Sequence, residues 1–186
     1  KKEAIEWSFE FLTKVLKIKK EKLAFSVFKG DENAKKDVES AERWKLLGIE
    51  ENRISFLPKE DNWWGPAGET GPCGPDTEMF YWIGNEKPHY KFSPEDKRWV
   101  EIWNNVFMQY DKTEDKKYNE LKQRNVDTGM GVERTIAVLN GLNDNYKTSI
   151  FEPIIREIEF ISGKPYEGNE KAMRIIADHL RASVFI

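Results

Sequence analysis

"EIWNNVFMQY", Glu101–Tyr110, is an apolar and aromatic run interrupted by two adjacent asparagines. Its composition is that of a β-strand. Regular alternation would set Asn104 on one face with Ile102, Val106 and Met108, and Glu101, Trp103, Asn105 and Phe107 on the other. A buried amide left without a partner costs about 1–3 kcal/mol. Each asparagine must therefore bond to the surrounding protein or serve a ligand. The Asn104/Val106 face suits a small apolar substituent with a polar head. On a regular strand Glu101 points away from that face.

The neighbouring segments give this strand its sheet. "DTEMFYWIG" before it and "YNELKQRNVD" after it also read as strands, as do "LAFSVFKG" and "RISFLP" further upstream. Helical patterns lie at both ends. Ile5, Phe9, Leu12 and Leu16 recur at helical spacing. Asn33 is placed to cap a second helix with the stripe Ala34, Val38, Ala41, Trp44 and Leu47, stopped by Gly48. "GMGVERTIAVLNG", "SIFEPIIREIEFISG" and "NEKAMRIIADHLRASVFI" are three more helices, with Pro153 tolerated in a first turn. The expected fold class is α+β, an antiparallel sheet flanked by helices. A boundary between Gly141 and Thr148 would divide the chain into residues 1–143 and an all-helical 144–186.

The 186 residues include one cysteine, Cys73, and two histidines far apart, His89 and His179. This argues against disulfides and against a cysteine- or histidine-based metal site. The net charge of −3 conceals 34% charged residues, so nucleic acid is expected only as a local contact. No apolar run is long enough to cross a bilayer, which with the cysteine usage suggests a cytoplasmic protein. The chain starts and stops in mid-pattern and reads as an excised piece of something longer.

"GPAGETGPCGP", Gly65–Pro75, follows Trp63 and Trp64 and contains seven glycines and prolines. It reads as a stiff loop with free backbone N–H groups, suited to a polar ligand or to a purely structural turn. Beyond it Asp76 and Glu78 share one strand face. Cys73 has no histidine nearby to activate it and is expected to be an inert small residue. "VDTGMGVER", Val126–Arg134, ends a strand on an acid and turns through two glycines into a helix bearing Arg134. Helix N-termini attract anions, Asp127 can pair with an ammonium group, and Arg134 offers a flat charged fork for phosphate. It is neither a Walker loop nor a dinucleotide fingerprint.

In their order, "TGPCGPDTEMFYW", "EIWNNVFMQY", "VDTGMGVER" and "RIIADHLRA" resemble the class II aminoacyl-tRNA synthetases of the alanine type, over essentially the whole chain. "GMGVER" matches the third class-defining motif. The resemblance implies that Arg134 holds ATP and is the catalytic arginine, with Gly131 and Glu78 also at the nucleotide. It implies an alanine pocket of Trp64, Asn104, Val106, Asp127 and Gly129, with Asp127 on the α-ammonium group and Trp64, Val106 and Gly129 around the methyl group. Magnesium would fall to Asp76, Glu78 and Glu101, and tRNA phosphates to Arg174 and Arg181. The reaction implied joins alanine and ATP into alanyl-adenylate, then passes alanine to the acceptor end of its tRNA. The first two class motifs and the editing domain are missing, so residues 1–143 would be the C-terminal part of the aminoacylation domain. Residues 144–186 would begin the helical tRNA-recognition region. Little activity is expected without the rest of the chain. A non-catalytic binding module on the same fold, or a ligase for another small amino acid, are the alternatives.

Overall fold

The computed structural model describes Lys1–Ile186, which divide into two compact units, Lys1–Gly131 and Val132–Ile186. The first unit begins with α1 (Lys2–Glu10), which widens into a π-helical turn at Phe11–Val15. It continues through β1 (Leu23–Phe28), α2 (Val38–Leu46), β2 (Ile54–Leu57), β3 (Trp63–Trp64), β4 (Gly71–Trp82), β5 (Trp99–Lys112) and β6 (Tyr118–Met130). The strands form one sheet in the order β2-β1-β4-β5-β6, with β3 paired to β4. The expected α+β class with an antiparallel sheet and flanking helices is present. One pair, β1/β2, runs parallel because α2 carries the chain across between them.

The helices pack on one face of the sheet. Phe25 stacks on Trp44 with ring centroids 4.0 Å apart, and Phe9 meets both rings at about 6 Å. Ile5, Leu12, Phe25 and Trp44 are buried, each such side chain contributing about 1.5–3 kcal/mol. Trp44 Nε1 donates to Thr77 Oγ1 at 2.9 Å, so the indole brings no unpaired N–H into the core. Central strand β1 is buried on both faces. On the far face, Ala24, Phe80, Trp82, Phe92 and Trp99 make a second cluster at one end of the sheet. Beside that cluster the same face turns polar.

Three local expectations change. The cap of α2 is Asp37, which accepts from the backbone N–H and the hydroxyl of Ser40 at 3.1 and 2.7 Å. Asn33 instead lies in a turn organised by Asp31, and Val38, half exposed, is outside the stripe. The Gly/Pro stretch is only half loop, since Gly71–Pro75 are the first residues of β4. In β5 alternation breaks at Ile102: Met79 pairs with Trp103, but Phe80 pairs with Glu101. This bulge moves everything before it to the opposite face.

The second unit comprises α3 (Val132–Leu139), α4 (Glu152–Ser162) and α5 (Glu170–Val184). Pro153 sits in the first turn of α4, and Gly163 ends the helix in the left-handed region. The core is Phe151, Ile155, Ile158, Tyr166, Met173 and Ala177. On α5, Ile176 and Leu180 are about half exposed, and Met173 and Ala177 are the residues that face inward. No helix of the chain is long and apolar enough to cross a membrane.

Candidate functional site

Strand register brings most of the sequence-derived candidates together. Glu78 pairs with Asn104, and Asn104 with Gly129. Two residues along, Asp76 pairs with Val106, and Val106 with Asp127. These are consecutive rungs on the same face, so Asp76, Glu78, Asn104, Val106, Asp127 and Gly129 form one patch. Phe80 lies on that face too, and its pairing with Glu101 brings Glu101 to the Asn104 side. This corrects the expectation from regular alternation.

The two asparagines divide their duties. Asn105, fully buried, faces the helices, donates to Ser8 Oγ at 3.0 Å and accepts from Thr128 Oγ1 at 2.7 Å. Its amide is structural. Asn104 lies beside Asp76, whose acidity its amide strengthens, and its own oxygen is buried without a partner. An orphaned buried acceptor is costly unless something else supplies the donor.

The carboxylates of β4 are unusually poor acids. Burial pushes Asp76 up to about 6, against the lowering effect of hydrogen bonds from Asn62 and Asn104, with Glu101 and Asp37 adding repulsion. Burial pushes Glu78 up to about 8, reinforced by the charges of Glu101, Asp76 and Asp61 and opposed by a 3.0 Å hydrogen bond from Ser26 Oγ. Such a cluster gains from a positive charge placed among its members. No group of three or more His, Cys, Asp or Glu residues is spaced to hold a metal ion by itself. One or two carboxylates are what magnesium takes when phosphates and water complete its shell.

Two glycines of "GPAGETGPCGP", Gly65 and Gly74, are required by the packing of the protein itself. A Cβ on Gly74 would lie 2.0 Å from the Phe107 carbonyl oxygen, where β5 presses against β4. Gly65 has φ +79° and a Cβ there would meet the Pro72 carbonyl at 2.8 Å. Trp63 is an aromatic anchor, stacked on Tyr110 at 5.6 Å and tilted against Phe28 at 5.2 Å. Trp64, 39% exposed, pairs with Gly74, two residues before Asp76. Cys73 is buried, and burial raises its thiol pKa, so it is a packing residue.

Asp127 and Gly129 lie on exposed positions of edge strand β6, and Asp127 Oδ1 accepts from the Thr128 N–H at 3.0 Å. Gly131 donates its N–H to the carbonyl of Ile102, closing the β5 bulge. Arg134 is exposed in the first turn of α3. Arg174 and Arg181 are engaged inside the helical unit. Arg174 donates to Asp144 and to the Tyr166 hydroxyl, both at 2.7 Å, and Arg181 pairs with Glu133. On the helix-covered face a separate apolar groove is lined by Ala4, Trp7, Phe11, Trp103 and Val126. It holds none of the candidate residues.

Sequence reasoning missed Ser26 and Asn62. Asn62 Nδ2 donates to Asp76 Oδ1 at 2.8 Å and to Ser26 Oγ at 2.9 Å. The available signal was a serine within the otherwise apolar "LAFSVF".

Comparison with known proteins agrees over the full length. The family described as tRNA synthetases class II (A) matches residues 1–186. The chain is 56% identical to an alanine–tRNA ligase of Treponema denticola, covering all of this chain and 32% of that protein. It is 51% identical to one from Borrelia hermsii, over 98% of this chain and 32% of the relative. It is 45% identical to one from Thermotoga maritima, over 100% of this chain and 22% of the relative. The chain thus spans about a third or less of these relatives' length.

Proposed function

This chain belongs to the class II (A) tRNA synthetase family, and from that premise we propose that it activates alanine with ATP and passes it to the alanine tRNA. In this reading residues 1–143 are the C-terminal part of the aminoacylation domain, and residues 144–186 begin the tRNA-recognition region. The catalytic unit is completed by polypeptide beyond this chain, in the cytoplasm where the tRNA is charged. The observation that carries the proposal is the pair of adjacent rungs, Glu78–Asn104–Gly129 and Asp76–Val106–Asp127. They offer an amide, a carboxylate, a small apolar side chain and a bare backbone within one patch, a set matched to alanine's ammonium group and methyl.

Asp127 is assigned to the α-ammonium group, Asn104 to the polar end of the amino acid, and Val106, Gly129 and Trp64 to the methyl side. Larger side chains would be turned away by Val106 and by the proximity of the β6 backbone. Arg134, with its permanent charge, is assigned to ATP phosphate, and Gly131 and Glu78 to the same nucleotide. Magnesium, which neutralises phosphate charge during adenylate formation, would be held by Glu78 and Glu101. Asp76 already accepts from the Asn62 amide and contributes chiefly negative potential. Binding, orientation and charge stabilisation are the whole of the protein's task in this chemistry. A tRNA-phosphate role for Arg174 and Arg181 would come in addition to their present ion pairs.

The test is amino-acid-dependent ATP–pyrophosphate exchange by the full-length protein and by this chain alone. Alanine-dependent exchange in the former, greatly reduced in the latter, is expected, and Asp127→Ala and Arg134→Ala should each abolish it while leaving the fold intact. Exchange with serine or glycine in place of alanine would reassign the substrate. Exchange with no amino acid would favour a binding module.

A further inference from the structure

On the helix-covered face of the sheet, one hydroxyl of β6 is gripped from two sides. Thr128 stands opposite Asn105, between the rungs of Asp127 and Gly129. Its Oγ1 accepts from the Trp103 indole Nε1 at 2.6 Å and donates to Asn105 Oδ1 at 2.7 Å. An indole N–H can only donate and a hydroxyl has one proton, so Thr128 serves once as acceptor and once as donor. Trp103 and Asn105 alternate with Asn104 on β5 and both meet α1, through Phe11's helical continuation and through Ser8. The far end of the chain is anchored as well. Asn105, fully buried, donates to Ser8 Oγ at 3.0 Å, and Ser8 Oγ donates to the Ala4 carbonyl at 2.8 Å. The donors therefore run in one direction, from Trp103 to the backbone of α1.

The grip reaches the opposite face through the main chain. The Thr128 N–H donates to Asp127 Oδ1 at 3.0 Å, and Asp127 itself lies at an exposed position. Most of β6 is exposed, so burial does little to fix it. Where Thr128 is held decides where the Asp127 carboxylate stands. We propose that Trp103 and Asn105, acting through Thr128, are positioning residues that set the Asp127 carboxylate, with Oδ1 held by the strand and Oδ2 presented to the substrate's ammonium group. The proposal rests on the reading of Asp127 as the ammonium contact. It gives the structural amide of Asn105 a consequence for substrate binding, although that side chain lies on the other face of the sheet. It also assigns a purpose to the hydroxyl at position 128, where valine would have the same shape.

Thr128→Val is the first test. In the full-length protein it should raise the alanine KM about tenfold, with the ATP KM within about twofold, and speed backbone hydrogen exchange across residues 126–130 at least about fivefold. Thr128→Ser keeps the hydroxyl and should hold the alanine KM within about threefold. Trp103→Phe and Asn105→Ala each remove one side of the grip and should raise the alanine KM too. Combining either with Thr128→Val should add nothing further. Ser8→Ala breaks the far end of the chain and leaves both bonds to Thr128 in place, so it should lower the melting temperature with the alanine KM within about twofold. Equal rises in both KM values, additive losses in the double variants, or a Ser8→Ala effect on the alanine KM matching that of Thr128→Val would show a general structural role and overturn the proposal. Unchanged hydrogen exchange across 126–130 in Thr128→Val would overturn it as well. If Asp127→Ala leaves the alanine KM unchanged, the reading of Asp127 falls and this inference with it. If Asp127→Ala abolishes alanine-dependent ATP–pyrophosphate exchange while Thr128→Val leaves the alanine KM unaltered, that reading stands and the inference alone is overturned.

Discussion

Thr128 donates its hydroxyl to the side-chain oxygen of Asn105 at 2.7 Å, from the rung between those of Asp127 and Gly129. Asn105 in turn donates to Ser8 of α1, and Thr128 accepts the Trp103 indole N–H at 2.6 Å. One helix and two strands are therefore pinned directly beneath the candidate patch. Edge strand β6 is otherwise largely exposed and pairs only with β5.

Asn105→Ala removes both bonds and leaves the Ser8 and Thr128 hydroxyls without their partner. A loss of about 2–3 kcal/mol in unfolding free energy is expected, measured by urea titration. Thr128→Val should cost less, about 1–2 kcal/mol, because it breaks only one of the two Asn105 bonds and leaves the one to Ser8 in place. If Asn105→Ala were neutral, β6 would be registered by something other than this network.

Glu78 makes stability fall as pH rises. Its carboxyl is raised from 4.5 to about 8, first by burial and then by Glu101 and Asp76. Between those values the native state holds a proton that the unfolded chain has released, so the slope is negative. The contribution is complete below about pH 4 and is lost as pH passes through 8. Without divalent ions, unfolding free energy should drop by on the order of 2–4 kcal/mol between pH 5 and 9. Glu78→Gln should flatten most of that slope. Asp76, raised to about 6, acts with the same sign over a narrower window. A slope unchanged in Glu78→Gln would remove Glu78 as its source.

Gly74→Ala should be among the most damaging substitutions in the chain. The added carbon would fall 2.0 Å from the Phe107 carbonyl and 2.9 Å from the Gln109 nitrogen, both backbone atoms. The β4/β5 pairing would have to open there, at a cost of more than about 3 kcal/mol. Gly68→Ala, six residues away in the same stretch, meets nothing within 4 Å and should be nearly neutral. Thermal melts of the two variants side by side give the comparison. Equal melting temperatures would mean that β5 yields at Phe107.

How much of this was legible beforehand follows from which forces are local. Strand composition, helix periodicity and the Gly48 stop are local, and they gave the element types and the α+β class. The three strings around Asp76, Asn104 and Asp127 carried the candidate patch, because same-face parity within each strand survives any register between strands. The bulge at Ile102 was not legible, since it depends on how β4 meets β5 rather than on the residues of β5 alone. The same holds for the glycines of "GPAGETGPCGP": only the packed structure distinguishes an opening for a ligand from the close approach of another strand. Asn62 was invisible for a third reason. Its partners Ser26 and Asp76 come from strands on either side of it in sequence, so no local pattern marks it.

Arg174 gives a last separation of roles. Its guanidinium bonds to Asp144 and to the Tyr166 hydroxyl, and Tyr166 also donates to Asp144 at 2.8 Å, closing a three-membered polar cluster within the helical unit. Asp144 is held below the usual carboxylate range despite partial burial, by hydrogen bonds from the Tyr146 N–H, Tyr166 and Arg174. Arg174→Met keeps the aliphatic stem and removes the charge. It should destabilise the chain by about 1–2 kcal/mol, the worth of a charge-assisted hydrogen bond with part of its surface in water. Arg174→Lys should recover only part, because an ammonium group lacks the planar fork that reaches both partners. If Arg174 also met tRNA phosphate, Arg174→Met in the full-length protein would weaken tRNA binding and flatten its dependence on salt concentration by about one unit of slope. Loss of stability with an unchanged salt slope would make Arg174 wholly a structural residue of the helical unit.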